Sequence, residues 1–204
     1  ADRRRLEGLA DWCDRYTPLV AIDGQDGLFL DITGCAHLFG GEKALLDDLA
    51  RRFFHQGFDV RAGLASTPGA AWAAARYCAG TIVAAGEEER LMCPLPLAAL
   101  RLDAGVRSGL ESVGLRSVGA VLSTPRAPLA RRFGHALLLR IDQALGAVEE
   151  AISPRRPVPP LSAERQLAEP IGLVDDIVQV VRQLATSLAE DLDRRGEGAR
   201  LLDL

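Results

Sequence analysis

Asp26 and Asp31 close the two ends of the run Asp26-Gly27-Leu28-Phe29-Leu30-Asp31-Ile32-Thr33-Gly34. Acids at strand ends are the raw material of divalent-cation chemistry, because hard carboxylate oxygens hold Mg²⁺ while it clamps phosphate oxygens. Two isolated acids are fewer than a two-metal site needs, and acids at strand ends read first as solvated turn residues. No resident Mg²⁺ is expected. His37 has no His or Cys neighbour at ligand spacing and reads as a turn residue. The four cysteines, Cys13, Cys35, Cys78 and Cys93, show no CxxC spacing, which argues against structural zinc. The other chemistry-bearing group is cationic. Arg107, Arg126, Arg131, Arg132 and Arg140 make one segment locally basic, and Arg155 and Arg156 carry that charge onward. Such a surface suits phosphate backbones, which bind in a salt-sensitive and sequence-tolerant way.

Elements must hold these residues. Leu6, Leu9 and Cys13, with Trp12 beside them, recur at helical spacing and predict a helix over residues 3–16, ended by Pro18. Val20–Asp23 and Leu28–Thr33 read as a hairpin around Gly24 and Gly27, with Leu28, Leu30 and Ile32 on the buried face. Gly40-Gly41 precedes a helix through Leu45, Leu46, Leu49 and Phe53. Phe58–Ala65 reads as a strand. Ser66-Thr67-Pro68 is a helix start, with a hydroxyl to cap and proline in the first turn. That helix runs to about Ala79, where Gly80 stops it, and Thr81–Ala85 is a further short strand. Trp12 and Trp72 sit on amphipathic helices and read as core.

After Pro94 the character changes. Residues 95–146 are helical with turns at Gly105, Gly114, Gly119 and Gly134. Ser153 to Pro160 is a proline-rich, extended linker. A strand near Leu161–Ala168, a helix over Val174–Arg195 and a closing strand over Ala199–Leu204 follow. The expected class is α+β, divided into residues 1–94, a small helical domain over 95–150, a linker over 151–161 and the start of an α/β unit over 162–204.

The totals bound the answer loosely. The chain has 204 residues, 48% of them apolar, and a net charge of −4, so nothing global advertises nucleic acid. No apolar run approaches a membrane span and no signal peptide opens the chain, so no membrane partner is expected. Reduced thiols in a cytoplasmic protein are the plain reading. The first residue is Ala1, and the last lie in a strand-like segment, as expected of an excerpt from a longer protein.

The run through Asp26 and Asp31 resembles the second catalytic motif of the Y-family (translesion) DNA polymerases. There an Asp-Glu pair precedes a Phe-Leu-Asp-like strand, and the position that matches the family's Glu is Gly27. Shifting the register to Ala21-Ile22-Asp23-Gly24 puts Gly24 there instead. Where the family carries lysines toward the incoming triphosphate, this chain has Thr67-Pro68-Gly69-Ala70-Ala71-Trp72-Ala73, and its single lysine is Lys43. Within the family the chain is most similar to the non-catalytic ImuB-type branch, through Leu28 to Glu42 (His37-Leu38-Phe39-Gly40-Gly41 above all) and Pro94 to Arg101.

The resemblance implies the later part of a palm (a mixed sheet with helices), a whole thumb and the first part of a little finger. It implies no polymerase activity. It implies instead an adaptor in bacterial SOS mutagenesis and DNA repair by translesion synthesis, cytoplasmic and on the nucleoid after damage. The implied partners are primer–template DNA, the sliding clamp, an error-prone replicative-type DNA polymerase and the RecA-like accessory protein of the same system. The segments around Gly105 and Gly114 to Gly119 resemble helix-hairpin-helix turns, which aim backbone N–H groups at a phosphate. Gly105, Arg107, Gly114, Arg116, Ser117, Gly119, Arg131 and Arg132 are the DNA-contact candidates. Asp103 stands where the family often has glycine and repels phosphate, so the second turn carries more weight. Two other readings stay open: an active translesion polymerase with a carboxylate supplied from elsewhere, and a protein-interaction scaffold without DNA affinity.

Overall fold

The computed structural model describes residues 3–155, 162–167, 172–196 and 198–199. The chain forms two units, Ala1–Arg156 and Pro157–Leu204.

In the first unit, helix α1 (Arg3–Cys13) buries Leu6, Ala10 and Cys13. Burial pushes the Cys13 thiol up to about 12. Strands β1 (Val20–Asp23) and β2 (Gly27–Leu30) pair antiparallel, with Val20 opposite Leu30 and Asp23 opposite Gly27. β2 ends earlier than its apolar pattern predicts. The amide of Asp31 donates to Leu19 O (3.0 Å), and the Asp31 carboxylate accepts from the Thr33 amide (2.9 Å), which turns the chain. A 3₁₀ turn (Ala36–Phe39) leads into α2 (Glu42–His55). Phe53 of α2 meets Trp12 edge-on at 4.9 Å, so Trp12, half-buried, packs against this core. Ala10, Cys13, Val20 and Phe53 centre this cluster, with Leu28 and Leu30 packed against it.

Helix α3 (Pro68–Tyr77) starts as the sequence predicts. Thr67 Oγ1 accepts from the Ala70 amide (3.1 Å) and donates to Ala144 O (2.9 Å), so the cap also ties α3 to a helix 77 residues away. The flanking strands are corrected. Phe58–Ala65 and Thr81–Ala85 meet only in a parallel bridge between Leu64 and Ile82. An alternating pattern becomes a strand only where a neighbour completes the ladder, and among the described residues Phe58–Gly63 has no such neighbour. The expected mixed sheet is therefore a two-stranded one in a mostly helical unit.

Helix α4 (Glu88–Met92), absent from the sequence reading, buries Met92 and also Glu88, whose carboxylate accepts from the Ser66 hydroxyl. Beyond it the predicted helical segment consists of a 3₁₀ turn (Leu97–Leu100), α5 (Ala104–Ser112), α6 (Val118–Leu122), α7 (Arg126–Phe133) and α8 (His135–Ala144). Leu97, Leu110, Val118, Leu129, Leu137 and Ile141 form its core, and Ala73 of α3 is part of it.

In the second unit α9 (Val174–Arg195) has the predicted bounds and ends on Gly196 in the left-handed region, φ 65°. The strand expected near Leu161–Ala168 is not formed over residues 162–167, which have no ladder partner among the described residues. Leu161, Ala168 and residues 200–204 of the expected closing strand lie outside the described residues, as does Arg156.

Candidate functional site

A cleft of about 1380 Å³ runs beside β2, and Asp26, Gly27 and Asp31 all line it, with Trp72, Arg76 and Glu150. Asp26 lies in the hairpin turn and accepts a hydrogen bond from Arg76 of α3 at 2.7 Å. That guanidinium holds the Asp26 carboxyl below the usual carboxylate range. Asp31 lies past the other end of β2, about 15 Å along an extended chain, and an odd number of residues away. Its carboxylate is taken by the Thr33 amide.

Gly27 is closed to a side chain. Directly across the hairpin, Asp23 O lies 2.9 Å from the place a Gly27 Cβ would occupy. A longer residue here needs the hairpin to shift. Among the described residues no three His, Cys, Asp or Glu side chains converge as a metal would require. These side chains do not fit a two-metal centre.

A second cluster, unforeseen in the sequence, adjoins this one. Arg101 closes the 3₁₀ turn with φ 53°, the one non-glycine residue at positive φ among those described. Its side chain is 16% exposed and donates to both oxygens of Glu150, at 2.6 and 2.7 Å. Arg140 of α8 shares the same carboxylate at 2.8 Å. The Arg101 guanidinium lies 5.6 Å from the Phe29 ring and 5.8 Å from the Trp72 ring. Burial, then the charge of Arg140, pulls Arg101 down from its usual value, while Glu150 opposes them. Trp72 is corrected accordingly: it is half-buried and accompanies two arginines, Arg76 at 5.1 Å being the other, rather than filling a core.

The glycine turns lie on the helical segment. At the first, the Gly105 amide donates to the Asp103 carboxylate at 2.8 Å, so Asp103 caps α5. Gly114 ends α5 with φ 86°. Ser117 caps α6 by accepting from Ala120 at 3.2 Å. The amides before it are also engaged: Val118 donates to Leu95 O and Gly119 to Cys93 O, both at 2.9 Å. A Cβ at Gly119 would stand 2.9 Å from Cys93 O, so glycine is needed for this approach. The amides of Val118, Gly119 and Ala120, at the start of α6, are therefore engaged within the protein. What this turn leaves exposed is Arg116.

The arginines divide. Arg126 is engaged by Asp142 at 2.6 Å, Arg140 by Glu150, and Arg155 by Asp14 at 2.7 Å and by Asp11. Arg155 is thus an internal tether rather than an extension of the basic surface. Arg107, Arg116, Arg131 and Arg132 have no carboxylate partner among the described residues. Arg132 lies 5.5 Å from the Phe133 ring, and Phe133 packs against Gly109 of α5, which brings α5 and α7 side by side.

Against this geometry, comparison with known proteins gives a consistent picture. The chain is 47% identical over 205 residues to Protein ImuB of Caulobacter vibrioides (strain NA1000 / CB15N), a match covering all of this chain and 45% of that protein. It is 27% identical over 196 residues to DNA polymerase IV of Shewanella woodyi, covering 93% of this chain and 54% of the relative. The chain spans about half the length of the curated relatives it matches. Among solved structures, DinB from Sulfolobus solfataricus superposes with a TM-score of 0.60 at 15% identity, over 72% of this chain and 46% of that one. At that identity the likeness concerns the fold alone. No protein-family model matches the chain.

Proposed function

This chain is a Y-family polymerase-like protein, and from that premise we propose that it belongs to a non-catalytic, ImuB-like adaptor of damage-induced translesion synthesis. The observation that carries the reading is Gly27. By resemblance it occupies the place of a catalytic carboxylate, and the Asp23 carbonyl opposite leaves no space for one. Phosphoryl transfer of this kind relies on metal-held phosphates and cationic partners. The matching helix start supplies Pro68 and Trp72 instead, and the arginines beside it are engaged by Asp26 and Glu150.

The adaptor holds primer–template DNA through the side chains of Arg107, Arg116, Arg131 and Arg132, with Gly105, Gly114, Ser117 and Gly119 shaping the turns that present them. Its further partners are the sliding clamp, an error-prone replicative-type polymerase and a RecA-like accessory protein, in the bacterial cytoplasm. No described helix is long and apolar enough to cross a membrane. One observation favours a protein-only scaffold instead: the α6 amides and the Gly105 amide are occupied internally.

Two measurements test the reading. Primer extension by the purified protein with Mg²⁺ or Mn²⁺ is expected to give no incorporation; incorporation that vanishes in Asp26→Ala makes it a polymerase. Fluorescence anisotropy with primer–template DNA across a salt series is expected to show salt-dependent binding, weakened in Arg116→Glu and in Arg131→Glu/Arg132→Glu. Absence of binding at low salt gives the scaffold.

A further inference from the structure

We propose that Arg76 is the resident counter-ion of the polymerase-like site, standing at Asp26 where a divalent cation stands in a two-metal centre. The inference rests on the non-catalytic reading and says what replaced the metal.

The pairing is a tertiary one. Arg76 and Asp26 are 50 residues apart, and α3 presents the guanidinium across the cleft to the hairpin turn at 2.7 Å. Arg76 is held from behind by Trp72, one turn earlier on the same helix, with its guanidinium 5.1 Å from the ring centroid. The charges of Asp26 and Asp23 both favour its cationic form. The neighbouring cation, Arg101, approaches the same ring at 5.8 Å and also feels Asp23. Two acids that line this part of the cleft are each matched by guanidinium groups, Asp26 by Arg76 and Glu150 by Arg101 and Arg140, while Asp23 forms no ion pair among the described residues and adds its charge to that felt by Arg76 and Arg101. A hydrated cation approaching Asp26 must break a charge-assisted hydrogen bond and meet a like charge at close range. Gly27 cannot add a ligand to offset that cost.

The test uses Tb³⁺, a hard cation excited by nearby tryptophan, on the whole protein. Trp72→Phe isolates the emission that depends on Trp72 from that of Trp12. In wild type no Trp72-dependent emission is expected over the range where Arg76→Gln develops it, and the titration midpoint should differ at least about tenfold. Mg²⁺ should compete the new signal away, and Arg76→Lys, which keeps the charge, should remain silent. Equal midpoints in wild type and Arg76→Gln, or no Trp72-dependent emission in Arg76→Gln, overturn the proposal. Primer extension separates the two ideas: incorporation by wild type defeats the non-catalytic reading, whereas an unchanged Tb³⁺ response defeats only the counter-ion.

Discussion

The cleft beside β2 and the outer surface of α5 to α7 use the same residue type for opposite ends. At and near the cleft most arginines are consumed internally by acids from other elements, Arg76 by Asp26, Arg101 and Arg140 by Glu150, as is Arg155 by Asp11 and Asp14; Arg61, on the cleft's lining, meets no carboxylate among the described residues. On and between α5 to α7, Arg107 (half-buried) and the exposed Arg116, Arg131 and Arg132 meet no carboxylate among the described residues. Whether an arginine is structural or available is decided by what the fold brings opposite it. A net charge of −4 therefore hides a local surface whose cations are unspent.

The largest effect should come from the buried cluster. Glu150→Ala leaves two guanidinium groups without their acid, and loss of one partner of such a group costs about 3–5 kcal/mol. Urea unfolding should show it as a lower midpoint with an unchanged slope. A loss under 1 kcal/mol would erase the distinction between the two arginine populations. Next, Gly119→Ala forces a Cβ against Cys93 O, and overpacking of this kind costs about 1–3 kcal/mol in the same assay. If DNA affinity also falls, the turn's shape matters as well as its charge.

Third, each of Arg116→Glu, Arg131→Glu and Arg132→Glu should lower the log–log salt slope of DNA binding by about one. Arg126→Gln, whose guanidinium is already engaged by Asp142 at 2.6 Å, should leave the slope nearly unchanged. Equal effects in both groups would dissolve the comparison. The smallest effect concerns Asp26. Its folded-state carboxyl lies below the usual value because Arg76 bonds its ionised form. The stabilisation is therefore full above about pH 4, the unfolded Asp value, and is lost as pH falls through the lowered folded value. The pair is 40% and 60% exposed, so Asp26→Asn should cost only a few tenths of a kcal/mol at neutral pH. Acid titration of both proteins should show that difference closing.

The sequence made local order legible and long-range pairing opaque. The hairpin, α2, the Thr67 cap and α9 were readable because their signals lie within a few residues: alternation, periodicity, a hydroxyl before proline. Phe58–Ala65 carries a good strand pattern, yet a strand is a property of two segments, and the described residues provide one bridge at Leu64 and a single further backbone bond beside it, from the Gly80 amide to Ala62 O. Arg101 looked like the end of a motif because Glu150 is 49 positions away. Arg155 looked like part of a basic run for the same reason; Asp11 and Asp14 lie more than 140 positions before it. α4 escaped notice because five residues with three charges show too little of a turn to be periodic. At the site, Gly27 and Asp26 were identifiable by motif, but Arg76 was visible only once α3 faced the hairpin.

Arg155 also fixes a load path. Its amide donates to Val20 O at 2.9 Å, continuing the edge of β1, while its guanidinium grips Asp11 and Asp14 at the end of α1. A pull transmitted along the chain from residue 157 onward reaches β1 and α1 before it reaches any helix between α5 and α8. Residue 155 is thus anchored in the hairpin layer, to β1 through its backbone and to the end of α1 through its side chain.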